Sequence, residues 1–102
     1  MAEYALTETA RADIKQVLRY GARQFGLEQA HRYQQKMKQH FARIAEHPLH
    51  YQACEGIVSH YRRSAFRSHV IYYRIEGNGI LIVRVLGAQE MDGAISPEEE
   101  SP

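Results

Sequence analysis

The sequence predicts an α+β domain in which a helical hairpin lies on a small, antiparallel-rich sheet, in the order β-α-α-β-β-β. Three observations predict it. Two long segments repeat their apolar residues at three- and four-residue spacing, with only a residue or two around Gly26 between them. After Gly56 the period changes to two. Gly77-Asn78-Gly79 then separates two apolar runs, the signature of a tight hairpin. Neither an amphipathic hairpin nor a one-sided sheet can hide its apolar side alone, so each must cover the other.

The elements follow in order. Tyr4-Ala5-Leu6 is a short extended lead-in, expected to join the sheet edge or to pair with the central strand. Thr7 is a helix N-cap, and Glu8 falls in the first turn, where the helix dipole favours a negative charge. Ala10, Ile14, Val17, Leu18 and Phe25 keep to one face of this helix, and Arg11, Lys15, Arg19 and Arg23 occupy the opposite one. Gly26 ends it as a left-handed cap. The second helix starts at Leu27 or Glu28 and carries a stripe of Ala30, Tyr33, Met37, Phe41 and Ile44. Pro48 stops it, both by lacking an amide proton and by disfavouring helical geometry at His47. Residues 48–56 read as a loop. Residues 57–62 form a candidate strand, and residues 68–75, rich in Val, Ile and Tyr, a better one. Residues 80–86 are almost wholly apolar, which predicts a central strand covered on at least one face. Residues 87–95 are an irregular end, and residues 96–102, SPEEESP, a frayed acidic tail, so the domain is expected to span residues 1–95.

Composition narrows the class. One hundred and two residues make one domain with a single modest core. No run of about 18 apolar residues marks a membrane span. The start lacks a basic segment followed by an apolar stretch, so no signal peptide is visible, and Cys54 has no internal thiol partner; both point to the cytoplasm. The net charge is +1, but residues 98–100 are all glutamate, so the rest of the chain stands near +4. That bias suits an acidic protein partner and is too weak to name nucleic acid.

Several pieces in the right order resemble the ParE/RelE plasmid-stabilisation toxins: Tyr4-Ala-Leu-Thr, Ala10-x-x-Asp13-Ile14, Tyr20, Phe25-Gly26, Ala30-x-x-Tyr33, Ile44-Ala45-x-x-Pro48, Arg63, His69-Val-Ile-Tyr-Tyr-Arg74, Ile82-Val-Arg84-Val85-Leu86 and Met91-Asp92. The match covers most of residues 4–92. The resemblance implies one of two activities. RelE-like members cleave messenger RNA on the ribosome; ParE-like members bind DNA gyrase and hold it on broken DNA. Both are neutralised by a co-expressed antitoxin whose tail wraps the toxin.

Chemistry separates the two branches. Attack by a ribose 2′-hydroxyl needs a base, an acid for the leaving oxygen, and cations around the phosphorane. RelE-like nucleases resemble one another in placing basic residues with a Tyr or His at the sheet face and chain end. Here residues 87–95 contain no Arg, Lys, His or Tyr, while Glu90 and Asp92 would repel a phosphate. The expectation is therefore a ParE-like toxin with no catalytic residue, acting on gyrase by protein–protein binding. The alternatives are a RelE-like ribosome-dependent endoribonuclease and an inactive co-repressor that only binds its antitoxin.

The residues expected to bind antitoxin or target are Arg62, Arg63, Arg67, Tyr72, Arg74 and Arg84. By alternation, Arg84 should share the face of Ile80, Ile82 and Leu86, and of the adjacent tyrosines Tyr73 should be core and Tyr72 surface. Exposed tyrosines beside arginines are good binding anchors. Arg63, Arg67 and His69 offer a phosphate site, yet arginines on a small sheet more commonly bridge acids or cover apolar surface with their stems. The helical stripe of Arg11, Lys15, Arg19 and Arg23 is either a solvated outer face or a contact surface for gyrase or its DNA. Six histidines invite a metal reading, with His47 and His50 three apart near Glu46, but a zinc site wants three or four converging ligands and Cys54 is the single thiol. No metal, no cofactor, no membrane contact and no sequence-specific nucleic-acid binding is expected. The expected partners are a cognate antitoxin, laying a helix and an extended segment into the groove between hairpin and sheet, and DNA gyrase.

Overall fold

The structure, a computed structural model, describes residues 3–54 and 60–87. Strand β1 (Tyr4–Leu6) leads into helices α1 (Glu8–Phe25) and α2 (Leu27–Glu46). A single 3-10 turn (Pro48–His50) and strands β2 (Gln52–Ala53), β3 (Arg62–Phe66), β4 (His69–Glu76) and β5 (Gly79–Gly87) follow. The sheet order is β1-β5-β4-β3-β2, with β1 parallel to β5 and every other pair antiparallel. The first strand thus takes the edge, and β5 is an interior strand, as its apolar sequence predicts.

Thr7 is the joint between the layers. Its amide donates to Ile82 O, its hydroxyl donates to Val83 O at 3.1 Å, and the same oxygen accepts from Ala10 N at 3.0 Å, which caps α1. At the other end of α1, Gly26 has φ +93° and ψ 156°, a conformation open almost only to glycine, so the chain reverses into α2 within one residue. Its φ is positive as predicted, but its ψ lies outside the left-handed helical well. β1 lies so close to the start of β5 that a Cβ on Gly79 would meet Glu3 O at 2.2 Å.

The core between the layers contains Ala10, Ile14, Met37, Phe41, Ile44 and Ala45 from the helices against Ile71, Tyr73, Ile80, Ile82 and Val85. A second buried cluster, Tyr61, Val70, Tyr72, Val83 and Leu86, occupies the other face of the sheet.

Three expectations need correction. The second strand, expected at residues 57–62, is displaced: among the described residues a strand runs over Arg62–Phe66, and residues 55–59 lie outside them. Its sequence is too polar to be recognised locally, and pairing with β4 defines it. The loop read over 48–56 contains a helical turn and the two-residue strand β2. Phe25, assigned to the apolar face of α1, is 62% exposed, because the helix runs past the core before it ends. The expectations for residues 88–102, including the irregular end and the tail, fall outside the described residues.

Candidate functional site

Cross-strand register brings part of the predicted site together. Gln52 pairs with Arg63, Arg63 with Tyr72, and Tyr72 with Arg84, so one row crosses β2, β3, β4 and β5. A register shift between Tyr72 and Tyr73 gives β5 one extra residue there. That shift breaks the alternation used to orient Arg84. Ile80 and Ile82 face the helices with Val85, whereas Leu86 belongs to the opposite cluster. Arg84 reaches back to α1, donating through Nε to Asp13 Oδ2 at 2.8 Å and through Nη2 to Oδ1 at 3.2 Å. Asp13 also accepts from Val85 N at 3.0 Å. Beyond the end of the short β1, the edge of β5 is thus met by a carboxylate instead of a strand.

The other arginines are dispersed. Arg62 donates to Tyr51 O at 2.8 Å, and Arg63 to Gln52 Oε1 at 3.4 Å. Arg74 donates to Glu76 Oε2 at 2.6 Å near the β4–β5 turn. Arg67 sits in the β3–β4 turn with φ +54°, unusual for a side-chain-bearing residue, and its guanidinium lies 5.8 and 5.6 Å from the Tyr33 and Phe66 ring centres. These groups do not converge on one point. Tyr72 is not a surface residue: it is 5% exposed within the second cluster, since this sheet buries apolar side chains on both faces. Tyr73 is core, as predicted.

Three groups at or beside the sheet, Tyr73, Cys54 and His40, are shifted toward their uncharged forms. Burial pushes Tyr73 up to about 12, against the pull of Arg62, and its hydroxyl donates to Pro48 O. Burial raises the Cys54 thiol, with Arg63 acting the other way. Burial, then the charge of Arg43, holds His40 below the usual histidine value. His40 Nε2 lies 2.7 Å from Ser64 Oγ, and Tyr33 Oη lies 2.7 Å from His69 Nδ1, so two polar contacts tie α2 to the β3–β4 hairpin. His69, the first residue of β4, has the structural hydrogen bond expected of it. His47 and His50 stack face to face at 4.8 Å. Among the described residues no group of three His, Cys, Asp or Glu could hold a metal, and no helix is long and apolar enough to cross a membrane.

Arg11, Lys15, Arg19 and Arg23 are all exposed on the outside of α1. Arg23 also lines, with Tyr20, Phe25, Ser68 and His69, a hollow of about 620 Å³ between the end of α1 and the sheet. Sequence reasoning gave no role to Asp13 or His40. Their signal is spatial, a partner 71 residues away and another 24 away, and no local spacing reveals it.

A helical hairpin on a mixed sheet with one parallel edge strand is the architecture that the resemblance to the ParE/RelE toxins implies. Residues 4–92 match the family described as "ParE toxin of type II toxin-antitoxin system, parDE". The chain is 38% identical to Toxin ParE1 of Caulobacter vibrioides over 86 residues, covering 84% of this chain and 88% of that protein. It is 32% identical to Toxin ParE1 of Mycobacterium tuberculosis over 90 residues, covering 87% and 91% respectively. A solved chain from "Chromosomal ParDE TA system from P. aeruginosa" has the same fold, with a TM-score of 0.73 at 18% identity, over 85% of this chain and 96% of that one. This chain belongs to the ParE toxin family.

Proposed function

We propose that the chain is a toxin that inhibits DNA gyrase by protein–protein binding, without chemistry of its own, and that a cognate antitoxin neutralises it. One observation carries the reading. Residues 85–102, which follow Arg84, contain no Lys, Arg, His or Tyr to grip or protonate a phosphate. The nearest cation before them, Arg84, is bound by Asp13. A guanidinium held by a carboxylate is a poor phosphate ligand. The reading also draws on the two relatives called Toxin ParE1 and on the similarly folded chain from the ParDE TA system of P. aeruginosa. Arg62, Arg63, Arg67, Arg74 and Arg84 remain the proposed antitoxin- or target-facing cations, with the α1 stripe as a second surface.

The test uses purified toxin in two assays. With gyrase, ATP and plasmid, linear DNA should accumulate and supercoiling should fall, and added antitoxin should reverse both. In a translation extract, message should stay intact. Message cut at the ribosomal A site with gyrase unaffected would replace this reading with the RelE-like one.

A further inference from the structure

Among the described residues Arg67 is the one side-chain-bearing residue with a positive φ, at +54°. Phe66 pairs with His69, so Arg67 and Ser68 are the whole of the β3–β4 loop. The β4–β5 turn meets the same demand, at φ +59°, with a glycine, Gly77. Glycine reaches this conformation at no steric cost, whereas a side chain crowds its own backbone there. Two-residue hairpin loops are accordingly dominated by Gly, Asn and Asp. Arginine is a poor choice for such a turn, and the fold by itself does not call for it. A disfavoured backbone kept at an exposed position points to the work of its side chain.

That side chain is braced, and its donors are unspent. The guanidinium carbon lies 5.8 Å from the Tyr33 ring centre and 5.6 Å from that of Phe66. The two rings meet edge to face at 5.4 Å. Tyr33 Oη is 2.7 Å from His69 Nδ1, and the Phe66 ring lies 5.3 Å from the His40 ring, so α2 and β4 fix the platform. Aromatic faces attract the cation without supplying an acceptor atom for its N–H groups. The other arginines of the sheet do spend donors: Arg62 on Tyr51 O, Arg63 on Gln52, Arg74 on Glu76 and Arg84 on Asp13. Among the described residues Arg67 donates to no acceptor. A stacked guanidinium with an open fork matches one planar carboxylate through two parallel N–H···O bonds. A phosphate site would gather several cations, and the neighbouring arginines are turned to other acceptors.

We infer that Arg67 is the carboxylate anchor of the toxin: the β3–β4 turn keeps a disfavoured backbone so that a guanidinium braced by Tyr33 and Phe66 meets an Asp or Glu side chain of a protein partner. The inference rests on the reading above that the toxin acts by binding proteins. It singles out one of the proposed cations and gives the physical reason for its place.

The experiment compares wild type with Arg67→Gly, Arg67→Gln and Lys38→Gln. Lys38, exposed on α2, controls for the loss of one positive charge. One arm measures antitoxin affinity by calorimetry, and the other measures half-inhibition of gyrase supercoiling. Both Arg67 variants should lose at least about tenfold in an arm, and the arm that falls identifies the partner that brings the carboxylate. Lys38→Gln should stay within about twofold of wild type in both. Thermal unfolding supplies a readout that a bracing role would move the other way. Arg67→Gly relieves the turn, so its midpoint should equal or exceed that of wild type by up to about 4 °C, and should exceed that of Arg67→Gln, which keeps the strained backbone. If Arg67 served to hold the hairpin on the rings, Arg67→Gly would be the less stable of the two, and the inference would fall. It falls also if either Arg67 variant matches wild type in both arms, or if wild type binds plasmid without gyrase and the Arg67 variants do not, which would assign the guanidinium to phosphate. Wild type that binds antitoxin and leaves gyrase untouched defeats the gyrase reading and not this inference. Wild type that engages neither protein defeats both.

Discussion

Asp13 holds the place that a longer first strand would occupy. β1 ends at Leu6, and further along β5 the amide of Val85 bonds to the Asp13 carboxylate, which also grips Arg84. Removing the carboxylate takes away the acceptor of a strand amide and two hydrogen bonds of a partly buried guanidinium, so Asp13→Ala should destabilise by about 2–4 kcal/mol. Arg84→Met should cost less, because Asp13 keeps its backbone donor; equal losses in urea denaturation would refute this ordering. Tyr72→Ala, attractive as a binding-site probe when Tyr72 is read as exposed, should instead lower stability by about 3–5 kcal/mol, as expected for truncating a buried aromatic ring. Arg74→Ala, on a half-exposed residue, is the cleaner probe of binding, and calorimetry with the antitoxin reads it directly. His40 supplies a pH dependence. Burial and Arg43 depress its folded-state value, so as pH falls the unfolded chain takes up that proton first. Its contribution is complete above the ordinary value of about 6.5 and drains away as pH drops toward the folded value. The urea midpoint of the wild type should fall between about pH 7.5 and pH 5.5, and that of His40→Gln should fall less. Parallel curves would show that His40 does not carry the effect. None of these three roles could be read from local sequence, since each depends on a neighbour brought in from another element.

Helices and the β4–β5 hairpin were legible because their signals are local. Thr7, the apolar stripes, Gly26 and Pro48 fix the hairpin within a residue, and Gly77-Asn78-Gly79 fixes the turn. β3 was misplaced for the opposite reason. Arg62 and Arg63 open it and Arg67 follows it, and they hide its pattern; its register comes from five pairings with β4, all of them set by tertiary structure. β2, two residues long, has no sequence signal at all. The same contrast bears on stability. Gly26 is the one-residue hinge of the hairpin at φ +93° and ψ 156°, so Gly26→Ala should lose about 1–3 kcal/mol even though its added methyl would touch nothing. The loss should appear in thermal and urea unfolding alike. A variant as stable as wild type would mean that the hairpin can close through a different turn.

Across the whole chain, charge and fold are unevenly divided. The net charge is +1, but residues 98–100 contribute three negative charges, and a chain ending at residue 95 would carry +4. Long-range attraction acts on encounter rate more than on the final contacts, and salt screens it over about 10 Å at 0.1 M. Removal of residues 96–102 should therefore speed association with an acidic antitoxin severalfold at about 20 mM salt, and the two rates should converge by about 0.5 M. Dissociation should change little, because no proposed contact residue lies in the deleted segment. If residues 1–95 are the folding unit, the urea midpoint should also be unchanged. A lower midpoint would place the domain boundary further along the chain. A rate gain that persists at high salt would mean that the tail acts by occupying a surface, and the electrostatic account would have to be abandoned.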